Sequence, residues 1–115
     1  MFRYHLKENA FKLIKNGLKS LEGRLNKNTF KKIKIGDIIN FHNNKEDIFV
    51  KIISINHYSS FMEALKNEDI KKLNPLSESI KQSINIYRNC YPIENEIKYG
   101  VIIFQIELIN NPDKD

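Results

Sequence analysis

Gly17-Leu18-Lys19-Ser20-Leu21-Glu22-Gly23-Arg24 is the stretch on which the reading of this chain turns. Ionisable side chains of both signs and two glycines crowd into it, a composition that plain core rarely carries. Before it, Asn9 to Asn16 places Phe11, Leu13 and Ile14 at near-helical spacing and ends in Asn16-Gly17, a helix C-terminus because glycine accepts the left-handed conformation. From Ser20 the side chains alternate as in a strand, so Ser20, Glu22 and Arg24 share one face while Leu21 and Leu25 take the other. Glu22 and Arg24 are then roughly 7 Å apart on one side. Lys19, at the turn from helix to strand, reaches the same space on its flexible stem. The expected result is a carboxylate between two cations. A surface strand with solvated charges has the same pattern, so these residues alone leave a site and an ordinary exposed strand both open.

Outward from this stretch, Phe2 to Leu6 alternates Phe2, Tyr4 and Leu6 against Arg3 and His5, the period of a half-buried strand. Asn26 to Lys34 is basic, with Phe30 and Ile33 to pin it down, and reads as a short helix or turn. Ile35-Gly36-Asp37 is a tight turn that launches the strand Ile38 to Phe41, and the polar loop His42 to Asp47 closes a hairpin with Ile48 to Ile55. Ser59 or Ser60 then caps a helix carrying Phe61, Met62 and Leu65. Asn67 to Asn74 is charged and mixed. Past Pro75, Glu78 to Tyr87 brings Ile80, Ile84 and Tyr87 to helical spacing, the longest amphipathic helix. Cys90-Tyr91-Pro92 ends it, Ile93 to Lys98 is expected to loop back, and Val101 to Ile109, apolar on both faces at its start, is expected to be an interior strand. Strands joined by hairpin and helical connections give an α+β class, a small mixed β-barrel of about five or six strands decorated by about three helices.

The 115 residues suit one domain, expected over 1–109, with 110–115 as a flexible C-terminal tail. A formal net charge of +5 favours an anionic partner. The chain is rich in Ile, Lys and Asn together, so only clustered charge is informative. Cys90 is the sole cysteine, which excludes an internal disulfide and suits a reducing compartment. Apolar runs are too short to span a bilayer, and the expected location is cytoplasmic, or nuclear, with no membrane partner.

In order, these landmarks resemble the ASCH family, small domains with a fold similar to the RNA-binding PUA barrels. The signature Gly-x-Lys-x-x-Glu-x-Arg is matched by Gly17, Lys19, Glu22 and Arg24. A turn and strand follow at Ile33 to Ile39, a helix start at Tyr58-Ser59-Ser60-Phe61, and a closing strand at Tyr99-Gly100-Val101. The resemblance implies a cleft at the barrel mouth that receives a nucleotide or single-stranded RNA. Some bacterial relatives hydrolyse the acetyl amide of N4-acetylcytidine with a lysine matching Lys19, a threonine and a later glutamate. Here Glu22 occupies the threonine position, and Glu78 is the nearest candidate for the glutamate.

The residues themselves carry a matching chemistry. Glu22 can activate water, and Lys19 or Arg24 can stabilise a developing oxyanion, as an amidohydrolase or ribonuclease needs. Equally, Glu22 and Arg24 can form a structural ion pair. Tyr58, Tyr91 and Tyr99 lie at the ends of elements, where a ring can stack on a base, and Ser20 and Ser59 stand beside them as ligand contacts. Lys27, Lys31, Lys32 and Lys34 form the densest basic cluster and are the candidate phosphate contacts. His5, His42 and His57 lack ligand spacing, so neither a metal nor any cofactor is expected. The leading expectation is an RNA- or nucleotide-binding domain. Its alternatives are a hydrolase of a modified nucleoside or single-stranded RNA, and a protein-interaction module.

Overall fold

The elements run from an N-terminal strand through a mixed sheet to a long closing strand. A computed structural model describes residues 1–114. Strand β1 (Phe2–His5) is followed by helix α1 (Glu8–Lys15), strand β2 (Leu21–Leu25) and the single turn α2 (Asn28–Lys31). Next come the hairpin strands β3 (Ile38–His42) and β4 (Asp47–Tyr58). Four helices follow, α3 (Phe61–Asn67), α4 (Ile70–Leu73), α5 (Ile80–Cys90) and α6 (Ile93–Tyr99), before strand β5 (Val101–Ile109) closes the chain.

The sheet order is β1-β3-β4-β5-β2, with β1 parallel to β3 and every other pair antiparallel. It curls into a half-barrel whose free edges are β1 and β2. The twelve-residue β4 pairs with β3 through its first part and with β5 along its length, and its register shifts between Ile52 and Ser54. Such a bulge bends a strand and sharpens its twist, which suits a sheet that must curl. Strand β5 is interior, as its two apolar faces require. Ile102, Phe104 and Ile106 enter one core cluster with Phe11 and Ile14 of α1, while Val101 and Ile103 enter a second with Phe61, Leu65, Leu73 and Tyr87.

Helix α1 stops where expected. Gly17 has φ +78°, and its N–H donates to the Ile14 carbonyl at 3.0 Å. Ser60 caps α3 by accepting from the Glu63 N–H. The expected α+β architecture of a curled sheet decorated by helices is present, with six helices among the described residues, four of them of seven residues or more, against the about three expected. Helix α4 is one turn, capped by Asp69, inside the stretch read as merely charged. Helix α6 replaces the loop expected over Ile93 to Lys98, because its buried face is carried by Glu96, 1% exposed, whereas Ile93 and Ile97 point to solvent. A period search for apolar residues does not see a helix anchored by a carboxylate. Helix α5 starts after its cap Ser79 and continues to Cys90, beyond Tyr87. Of the expected tail, 110–114 carries only a turn, and Asp115 lies outside the described residues.

Candidate ligand cavity

Strand β2 places its side chains on two faces. Leu21 and Leu25 join the second core cluster. A Cβ on Gly23 would stand 3.0 Å from the Ile103 side chain and 3.3 Å from the Tyr87 hydroxyl, so glycine lets β2 approach α5 closely. Glu22 and Arg24 take the other face and line a cavity of about 710 Å³, within the usual range of small-ligand sites. It lies along the free edge of β2, near the end of the other edge strand at His5, with α1 on one flank and the segment from Leu73 through α5 on the other.

Lys19 is 6% exposed although it is a lysine. Its ammonium donates to the carbonyl of Leu21 at 2.8 Å and to the carbonyl of Leu73, and stands 3.6 Å from Glu22 Oε1. Burial pushes its pKa below the usual lysine range, against the opposing pull of the Glu22 charge. Two of its N–H groups are thus taken up by carbonyls, while the Glu22 carboxylate stands beside the ammonium as a charge pair beyond hydrogen-bonding distance. Lys19 works as a strut between β2 and α4 that leaves Glu22 facing the cavity.

Glu22 is 8% exposed, and its Oε2 is buried without a hydrogen-bond partner. The Arg24 guanidinium approaches that oxygen only to 3.6 Å, with its other side over the Phe30 ring at 5.5 Å. Tyr87 and Tyr91 also line the cavity, and both stack on Phe61 of the core, which does not line it, at 4.0 and 5.6 Å between ring centroids. Burial raises the pKa of both tyrosines. Tyr87 hydrogen-bonds Asn74, and both line the cavity. Lys7, Lys19 and Arg24 against Glu22 leave the lining with two more cations than anions.

The ASCH domain matches residues 5–110. This chain belongs to the ASCH domain family. Among solved structures, the ASCH chain resembles the crystal structure of the hypothetical protein PH0355, with 42% identity, a TM-score of 0.87, and coverage of 94% of this chain and 98% of that one. It also resembles the solution structure of protein PF0455 from Pyrococcus furiosus, with 36% identity, a TM-score of 0.79, and coverage of 96% and 98%. No curated protein matches it in sequence. The family is generally RNA-associated and belongs to the PUA-like superfamily.

Within this ASCH domain the cavity brings together Lys19, Glu22, Arg24 and Tyr91. Ser20 does not line it and instead links α4 to β5 through its backbone, its N–H donating to the Lys72 carbonyl and its carbonyl accepting from the Ile106 N–H. Tyr58 and Ser59 lie outside the cavity and bond the carboxylates of Glu68 and Glu63. Tyr99 is also outside, its ring approached by Lys27 and Lys98 at 5.4 and 5.1 Å. Lys27, Lys31, Lys32 and Lys34 are exposed on and around α2, which Arg24 joins to the cavity through Phe30. Glu78 does not line the cavity. Sequence reasoning missed the contributions of Asn74 and Tyr87. The Asn74-Pro75 turn signal and the lone hydroxyl on an apolar helix face were the available clues. Among the described residues, no three of His, Cys, Asp and Glu gather as metal ligands, and no helix is long and apolar enough to cross a membrane.

Tyr58 gives a pH prediction. Desolvation, with the Glu68 carboxylate beside the hydroxyl, pushes its pKa up to about 12 from 10.0. The phenol therefore ionises more readily in the unfolded chain, and the stability it contributes is full below pH 10 and lost as pH rises towards 12. Thermal unfolding at intervals across that range is expected to show the wild type declining more steeply than Tyr58→Phe. Parallel curves would remove the linkage.

Proposed function

We propose that this ASCH domain binds RNA or a nucleotide by taking one base into the cavity between β2, α1 and α5. The observation that carries the proposal is the buried, unpartnered Oε2 of Glu22 in a cavity whose lining is net positive. An orphaned buried acceptor costs about 1–3 kcal/mol until a donor reaches it, and nucleobases supply N–H donors on their edges. Tyr91 supplies an aromatic face for stacking. Arg24 and the exposed lysines 27, 31, 32 and 34 suit the phosphates of an adjoining chain.

Binding is favoured over hydrolysis of N4-acetylcytidine because the Lys19 ammonium already faces two carbonyls, so it is poorly placed to act as a nucleophile. The test is fluorescence anisotropy with short single-stranded RNAs at two salt concentrations, alongside release of acetate from N4-acetylcytidine. Glu22→Gln, folded by its melting curve, is expected to lose roughly tenfold to a hundredfold in affinity. Changing both Lys31 and Lys32 to Gln is expected to reduce the slope of log K against log salt by about 0.7 for each phosphate no longer neutralised. RNA affinity indifferent to Glu22→Gln and to both lysines would overturn the proposal, and acetate release abolished by Glu22→Gln would replace it with the hydrolase.

A further inference from the structure

Among the described residues, no hydrogen bond reaches either carboxylate oxygen of Glu22. Oε1 has the Lys19 ammonium at 3.6 Å and Oε2 has the Arg24 Nη2 at 3.6 Å, both charge pairs beyond hydrogen-bonding distance. Glu22 itself is more than nine-tenths buried, with 8% of its surface exposed, and its carboxylate lies between the Lys19 ammonium, fixed by two carbonyls, and the Arg24 guanidinium. Glu22 and Arg24 line the cavity, and with Oε1 beside Lys19 and Oε2 beside Arg24 Nη2 their polar atoms follow the order acceptor, acceptor, donor.

Each base offers a different row on its pairing edge. Guanine presents two adjacent N–H donors, at N2 and N1, followed by the O6 acceptor. Cytosine and adenine present one amino donor followed by a ring-nitrogen acceptor, and uracil has a single N–H between two carbonyls. Only guanine satisfies both oxygens of the carboxylate and the guanidinium at once, with N2–H to Oε1, N1–H to Oε2 and O6 accepting from Arg24. Its two parallel donors on one carboxylate form the bidentate arrangement that gives geometric specificity as well as strength.

We propose that the cavity selects guanine, as a nucleotide or as an unpaired residue of RNA, through the edge formed by Glu22 and Arg24. This rests on the reading of the cavity as a base-binding site and adds the identity of the base. Cytosine and adenine can fill the Oε2 and Arg24 positions but leave Oε1 without a donor. They are second choices, and uracil is the poorest ligand.

The test starts from the wild-type protein. Binding of GMP, IMP, AMP, CMP and UMP is measured by calorimetry, and binding of a labelled five-nucleotide uracil RNA is compared with the same RNA carrying one central guanine. GMP is expected to bind tightest. IMP, which keeps N1–H and O6 but lacks the 2-amino group, is expected to bind roughly tenfold or more weakly. A central guanine is expected to strengthen RNA binding by a similar factor. In Glu22→Gln, whose amide places a donor where one acceptor stood, the advantage of GMP over IMP is expected to disappear. Equal affinity for GMP and IMP, or preference for another base, would overturn the guanine assignment and leave base binding standing. No binding of any nucleotide or RNA would overturn both.

Discussion

Lys19→Met is expected to destabilise the protein by about 3–5 kcal/mol, the usual cost of removing one partner from a buried ion pair. The substitution keeps most of the aliphatic stem but strips the donors from the Leu21 and Leu73 carbonyls and leaves the buried Glu22 charge without its neighbour. Urea unfolding measures it. A loss below about 1 kcal/mol would mean that the ammonium is not the strut between β2 and α4. The double variant Lys19→Met with Glu22→Leu is expected to recover much of the loss, since it removes the stranded charge. The pH dependence has a definite sign. With its folded pKa below the ordinary 10.5, Lys19 binds its proton less tightly in the folded protein than in the unfolded chain. Stability of the wild type relative to Lys19→Met therefore improves as pH rises through the folded value towards 10.5.

The second large effect is expected at Glu96. Its carboxylate accepts from the Phe61 N–H at 2.7 Å and pairs with Arg88, so one side chain joins the start of α3, the body of α5 and its own helix α6. Glu96→Ala leaves a buried N–H without an acceptor and a half-buried guanidinium without its partner, and is expected to cost about 3 kcal/mol or more. Because α5 supplies Tyr87 and its C-terminal end positions Tyr91 in the cavity wall, ligand affinity is expected to fall as well. Glu96→Gln, which keeps an acceptor for Phe61 and loses the charge facing Arg88, is expected to fall between wild type and Glu96→Ala. Unfolding midpoints measured side by side give the order, and a Gln variant as unstable as the Ala variant would place the weight on Arg88 alone.

Much of the fold was legible because local chemistry and packing agreed. The end of α1 followed from Asn16-Gly17, the cap of α3 from Ser60, and β5 from a run apolar on both faces. Helices α4 and α6 escaped because they are held by polar groups, Asp69 at a cap and Glu96 in the interior, which apolar periodicity does not register. At the site, alternation along β2 placed Glu22 and Arg24 on one face without any tertiary information. Which tyrosine shares that face is a matter of how α5 docks. Tyr91 lines the cavity, whereas Tyr58 and Tyr99, placed just as well at the ends of elements, lie elsewhere. The lysine's burial was also invisible, because it depends on the Leu73 carbonyl, contributed from across the chain.

The pairing of Leu21 with Gln105 has a temporal consequence during synthesis. The strand bearing Glu22 and Arg24 emerges early, yet among the described residues its sheet partner is β5, made only after β3, β4 and the four helices that follow them. Until then it is an open edge, exposed to wrong pairing, and closing so long a loop is slow compared with forming the local β3–β4 hairpin. The pocket thus matures later than the hairpin on the nascent chain, and a truncation before β5 is expected to disrupt it even where α1 and the hairpin have already formed.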